Sequence, residues 1–130
     1  KVQGNYSYQK AIDITDPKGK NYKHQIPYTP LHSGNVTVSI LNRWANLGYV
    51  MSVTGDRYAL SQNIRSNLMP GYMEHSVSVG KEFGMQGSGD RNYSWGIQVE
   101  CQNITDEQYD VIQYYPMPGR SLRVTLKFEM

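Results

Sequence analysis

Cysteine occurs only once in this chain, at Cys101, so no intrachain disulfide can form and no cysteine-based metal site exists. Charge is also scarce: 18% of the residues are charged, and the formal net charge is +2. With no concentrated stripe of lysine and arginine, there is no electrostatic case for nucleic acid. The one cluster, Lys18, Lys20, Lys23 and His24, falls in a Pro/Gly-bearing stretch that reads as a solvated loop. No run of 18 apolar residues is present, which excludes a transmembrane helix. It does not exclude a membrane β-strand, whose apolar residues recur only at every second position. The chain opens Lys1-Val2-Gln3, without an initiator methionine or a secretory signal, and reads as an excerpt of a longer protein.

What is present points to sheet. Eleven tyrosines and 12 glycines accompany many Ser, Thr, Asn and Gln residues. Such polar, weakly charged chains are turn-rich sheet proteins or poorly ordered, and the aromatics argue for sheet. Ser121 to Met130 alternates strictly, with Leu122, Val124, Leu126, Phe128 and Met130 on one side and Arg123, Thr125, Lys127 and Glu129 on the other. Asn92 to Asn103 does the same, with Tyr93, Trp95, Ile97, Val99 and Cys101 on its apolar side. Tyr72 to Phe83 follows, with Lys81 interrupting its apolar side. Further strands are predicted from Val36 to Trp44, from Tyr49 to Val53, and from Val2 to Ile12.

The links between them are long (Asp13 to Ser33), short (Ala45-Asn46), long (Gly55 to Gly71), shorter (Gly84 to Arg91) and long (Ile104 to Gly119). Period two serves equally a water-soluble sandwich, where the apolar side is the core, and an outer-membrane barrel, where it faces lipid. Alternating link lengths and aromatics near strand ends, among them Tyr6, Tyr8, Trp44, Tyr49, Tyr72, Phe83 and Phe128, favour the barrel. Six strands of about ten residues do not close around a hydrated lumen, so further strands are expected to complete it.

The segment Asn103-Ile104-Thr105-Asp106-Glu107-Gln108-Tyr109, the turn Pro116-Met117-Pro118-Gly119-Arg120 and the alternating strand after it resemble the C-terminal end of TonB-dependent outer-membrane receptors. Ile26 to His32 and Leu68 to Tyr72 resemble these receptors as well. The matching motif residues are Asn103, Asp106, Tyr109, Pro116, Pro118, Gly119, Arg120 and Phe128, the last standing two residues before the position of the usual terminal aromatic. The resemblance implies an all-β, antiparallel up-and-down meander of about six strands. Residues 1–130 would form the C-terminal part of a 22-stranded transmembrane barrel, without its plug domain. It implies energy-coupled import of a scarce nutrient (siderophore-bound iron, haem, cobalamin or a glycan) across the bacterial outer membrane. The implied partners are the rest of the barrel and plug, a periplasmic TonB-type energy-coupling protein, outer-membrane lipid and the barrel insertion machinery.

No catalytic, cofactor or metal site is expected. His24, His32 and His75 lack partners at ligand spacing. Asp106, Glu107 and Asp110 read as a solvated loop rather than an acid–base pair. Asp56-Arg57 and Asp90-Arg91 read as local turn contacts, and Gly84 to Gly89 as a flexible turn without the lysine of a phosphate loop. Four Asn-x-Ser/Thr triplets, at Asn5, Asn35, Asn92 and Asn103, are expected to be bare. Pro116 and Pro118 restrict the entry to the last strand, Gly119 supplies an unusual dihedral, and Arg120 snorkels to the headgroup level. Three other functions stand beside the receptor. They are a passive porin or adhesin-like barrel, an enzyme, and a soluble all-β carbohydrate- or protein-binding module that buries Leu122, Val124 and Leu126 against protein.

Overall fold

The computed structural model describes residues 1–86 and 92–129, and only the backbone of residues 85, 86, 92 and 93. Among the described residues ten strands occur in chain order: β1 (Val2–Tyr8), β2 (His32–Leu41), β3 (Asn46–Thr54), β4 (Arg57–Tyr58), β5 (Leu68–Met69), β6 (Tyr72–Gln86), β7 (Asn92–Gln102), β8 (Asp110–Ile112), β9 (Tyr115–Pro116) and β10 (Ser121–Glu129). Six of them form one antiparallel sheet in the order β1-β2-β3-β6-β7-β10. β4 with β5, and β8 with β9, form two separate two-stranded ribbons.

This arrangement corrects the expected barrel. The strands β1 and β10 each have one neighbour and do not pair with each other, so the sheet is open, and neither ribbon closes it. Three small antiparallel sheets stand where a segment of a 22-stranded transmembrane barrel was expected. The receptor assignment, its transport function and its outer-membrane location fall with that barrel. The expectation failed because period two fixes which side of a strand is apolar, whereas closure depends on strand number and shear, which alternation does not encode. No helix among the described residues is long and apolar enough to cross a membrane, a statement about helices alone.

Strand boundaries differ from expectation where a local contact competes. β1 stops at Tyr8 instead of Ile12, and Ile12 makes an isolated bridge to Gln25 inside the following link. β7 stops at Gln102 because Asn103 turns left-handed (φ 50°), a conformation that asparagine tolerates. β2 starts earlier than expected, at His32, and ends at Leu41, so the first turn is Asn42 to Ala45. β6 runs past its expected end at Phe83 to Gln86, so the first half of the expected glycine-rich turn is strand. The Asp90-Arg91 contact, Gly87 to Gly89, the Tyr93 side chain and Met130 lie outside the described residues.

Register gives the sheet two chemically distinct faces. Val2, Val38, Tyr49, Val77, Cys101 and Leu122 form one unbroken row across all six strands. On the opposite face Ser39, Gly48, Ser78, Glu100 and Arg123 form a row across five. Among the described residues nothing covers the apolar face: Leu122 is 76% exposed and Leu126 74%. The burial of Leu122, Val124 and Leu126 that the binding-module alternative requires is therefore not supplied by the described residues.

Apart from Gly96 in β7, the buried residues among those described lie in the long links. Arg57, Ala59, Asn67, Met69 and Asn103 are buried, and each belongs to a connection or ribbon at one end of the sheet. Antiparallel order sends the three long links out of that same end. They touch one another there: Tyr28 N–H donates to Tyr58 O (2.7 Å), Asn63 Nδ2 to Gln25 O (3.1 Å) and Gln113 Nε2 to Ser66 O (3.3 Å). A Cβ at Gly71 would stand 2.7 Å from Thr54 O and 3.1 Å from the Gly55 backbone, where strand β3 and the entry to β6 nearly meet. Gly71→Ala should therefore destabilise the fold by about 1–3 kcal/mol, seen as a lower midpoint in chemical denaturation. An unchanged midpoint would show that these backbones separate freely.

Candidate functional site

The most built part of the molecule is a cleft of about 470 Å³ between the Leu68–Gly71 segment and residues 107–116. Its first wall is the β4–β5 ribbon, in which Arg57 pairs with Met69 and Tyr58 with Leu68. Its second wall is the β8–β9 ribbon, which bends at Tyr114 (φ 69°). The link that carries the second wall is tied to the sheet, since Ile104 N–H donates to His75 O (2.9 Å).

Asn103 organises the start of that link. It is 2% exposed; its Nδ2 donates to Glu107 O and its Oδ1 accepts from Glu107 N–H, both at 2.9 Å. One side chain thereby satisfies both main-chain groups of a residue four positions on. Asp106 lies inside that loop with φ 56°, and its Oδ1 accepts the Arg120 N–H at 2.8 Å. Gly119 owes its identity to this contact. A Cβ there would come within 2.5 Å of Asp106 Oδ1 and displace the carboxylate, and Gly119 itself does not occupy the left-handed region. The expected dihedral role is thus replaced by close approach. Arg120, expected among lipid headgroups, is fixed through its backbone to Asp106.

Tyr109 joins the second wall to the sheet. Its ring stacks on Tyr72 at 3.9 Å between centroids and 14° between planes, and its hydroxyl donates to the Glu74 carboxylate. Tyr72 and Glu74 are near-neighbours on β6. Partial burial, then the hydrogen bond to Glu74 and the negative charge there, push the Tyr109 phenol well above the usual tyrosine range. The motif residues Asn103, Asp106, Tyr109, Pro116, Gly119 and Arg120 are thus brought together around one link. Pro116 pairs with Asp110 in the second wall. Pro118 is exposed nearby, whereas Phe128 lies at the far end of β10, opposite Trp95.

Arg57 was missed by sequence reasoning. Its expected local turn contact is replaced by contacts to Asp110 O (2.5 Å) and Val111 O (3.5 Å), more than 50 residues away. The neighbouring Asp56 also reaches beyond its own turn, its Oδ1 accepting Gly71 N–H, 15 residues on, at 2.7 Å. No local pattern distinguishes Arg57 from any loop arginine, so only the fold reveals it. Asp110, like Asp106, caps a main-chain amide, with Oδ2 accepting Tyr114 N–H at 3.0 Å.

The histidines are matched to other groups. His32 Nδ1 lies 2.6 Å from Tyr6 Oη, His75 Nδ1 2.7 Å from Tyr49 Oη, and His24 Nδ1 3.0 Å from Ser61 O. Among the described residues no group of three or more His, Cys, Asp or Glu side chains is placed to hold a metal ion. The polar face of the sheet carries a second, smaller depression of about 210 Å³, bordered by Ser39, Ser78, Gln98, Thr125, Glu82 and Lys127.

The raised Tyr109 phenol has a definite pH signature. The folded state holds this proton more tightly than the unfolded chain. Its contribution is therefore complete below the ordinary tyrosine value of about 10 and is lost as pH climbs through the higher folded value. In an ultraviolet titration of tyrosinate, Tyr109→Phe should remove one ionisation from the alkaline end of the curve and cost about 1 kcal/mol at neutral pH. Loss of an ionisation from the middle of the curve would refute the assignment.

No protein-family model matches the chain, and no curated protein resembles it closely enough to count as a relative.

Proposed function

We propose that this chain is an all-β binding module that recognises a protein partner through the apolar face of its six-stranded sheet. It acts by non-covalent recognition and not by catalysis. One observation carries this reading: a continuous apolar surface, from Val2 on one edge strand to Leu122 on the other, has no covering layer within the described chain. A sheet with one apolar face ordinarily buries it against another layer, and exposed patches of this extent mark interaction sites. The face has the composition of an interface. It is rich in Val, Leu, Ile, Met and aromatic residues, and the basic side chains at its described alternating positions are Lys81 and two histidines, His32 and His75, each of which meets a tyrosine hydroxyl. Lys81 lies over the Phe83 ring, with Nζ 5.1 Å from its centroid, and Phe83 stacks on Trp95 at 4.3 Å. The near-neutral net charge fits a partner recognised by apolar contact in preference to nucleic acid.

A photo-activatable residue at Val99 or Leu126 tests the face in the native cell. Discrete adducts with one protein are expected from these positions and not from Ser78 or Thr125 on the opposite face, and Val77→Asp should abolish them. Equal adducts from both faces, or none from Val99 and Leu126, would defeat the proposal.

A second reading rests on the loop cleft. Tyr109 and the highly exposed Tyr114 border it together with the side-chain amides of Gln108 and Gln113. Aromatic rings beside neutral donors and acceptors suit an uncharged saccharide, whose C–H faces pack on rings while its hydroxyls meet amides. Amide chemical shifts recorded during titration with a panel of neutral mono- and disaccharides are expected to move in residues 107–116 and not in β1 or β2. The absence of any saturable shift across the panel would remove this reading.

A further inference from the structure

We infer that Arg57 is the positioning residue of the loop cleft, a strut that sets the separation of its two walls. Arg57 belongs to the first wall, through its pairing with Met69, and its guanidinium reaches the main chain of the second wall at Asp110 and Val111. It is 3% exposed. Its guanidinium carbon lies 5.3 Å from the centroid of Tyr72, whose ring stacks in turn on Tyr109. A cation and two aromatic planes thus run in layers from one wall to the other: Arg57 from the second link, Tyr72 from strand β6 and Tyr109 from the third link.

Two features separate a strut from ordinary filling of the interior. The first is shape. One nitrogen, Nη2, serves both carbonyls while the planar group lies over a ring, an arrangement open to arginine and not to the point charge of lysine. The second is cost. Nη1 is buried with no hydrogen-bond partner among the described residues, a penalty that an apolar side chain of similar volume would not carry. The guanidinium therefore adds little as filling, and what it supplies is a fixed link between Asp110 and β4.

The strut acts with or without a ligand, so its test is independent of both functional readings above. Hydrogen exchange of the whole chain reports it. The Tyr114 amide, bound to Asp110, and the Met117 amide, bound to Tyr109 O, belong to the second wall; the Ala59 amide, bound to Asn67 O, belongs to the first. In Arg57→Ala the Tyr114 and Met117 amides should exchange at least about tenfold faster, with Ala59 and the sheet amides of Val77 and Val99 within about twofold of the parent. Methylguanidinium at non-denaturing concentration should restore their protection, and equal ammonium should not. Arg57→Lys, which keeps the charge and serves if the alanine variant fails to fold, should accelerate the same two amides. Equal acceleration throughout the sheet, no acceleration in either variant, or rescue by ammonium as well as methylguanidinium would each overturn the assignment.

Discussion

Between the Arg57 guanidinium and the main-chain carbonyls of Asp110 and Val111 runs the contact on which the loop layer depends. Three long connections leave one end of the sheet, and each carries backbone donors and acceptors that need partners once they are crowded together. The first connection is held to the second by Tyr28, Tyr58, Gln25 and Asn63. The second is held to the third through Gln113 and Ser66 and through Arg57, whose charged side chain donates to two carbonyls of β8. The second connection also holds the buried residues Ala59, Asn67 and Met69, and buried Asn103 opens the next. The interior of this molecule is therefore small, polar and built from links.

The sheet follows a different logic. Its hydrogen-bonded ladder, continuous over six strands, fixes register, and register places Val38, Tyr49, Val77 and Cys101 in line. Ladder bonds alone contribute modestly, because they replace bonds to water. Burial of apolar area, which stabilises most sheets far more, remains unrealised on this face. The ion pair between Arg123 and Glu100, 3.9 Å apart on the polar face with Arg123 mostly exposed, adds little to that balance.

The strands were legible in the sequence because alternation is a local property. Leu122 to Phe128 and Trp95 to Cys101 announce their faces without reference to anything distant, and both form strands in the structure. Closure was not legible, since an open sheet and a barrel wall share one pattern. The ribbons inside the links were missed for another reason. At two or three residues each, β4, β5, β8 and β9 are too short to show a period. The site was half legible. Asn103, Asp106 and Tyr109 stand in a recognisable run, and the structure gathers them. Arg57, Tyr72 and Glu74 complete the arrangement from elsewhere in the chain, through contacts whose partners are 35 to 53 residues apart. For Gly119 the sequence suggests a dihedral role, whereas the constraint in the structure is an aspartate carboxylate, supplied by a residue thirteen positions earlier.

The two halves imply different couplings between stability and binding. A partner that covers the apolar face would bury the area that the chain leaves open, so folding of the sheet and occupancy of that face belong to one equilibrium. A ligand in the loop cleft would meet walls already braced by Arg57 and by the Tyr72–Tyr109 stack, and would lose little to ordering them. One link between the halves is Glu74. It sits on the polar phase of β6, opposite Ser52, yet it receives the Tyr109 hydroxyl from the loop layer. Its neighbours on that strand, Met73 and His75, point to the apolar face. A partner that shifts β6 through Met73 and His75 moves Glu74 with it, since alternate residues of one strand cannot be displaced independently. Occupancy of the face would in this way reach the cleft through β6, by way of the Tyr109 hydroxyl on Glu74 and the Ile104 amide on His75.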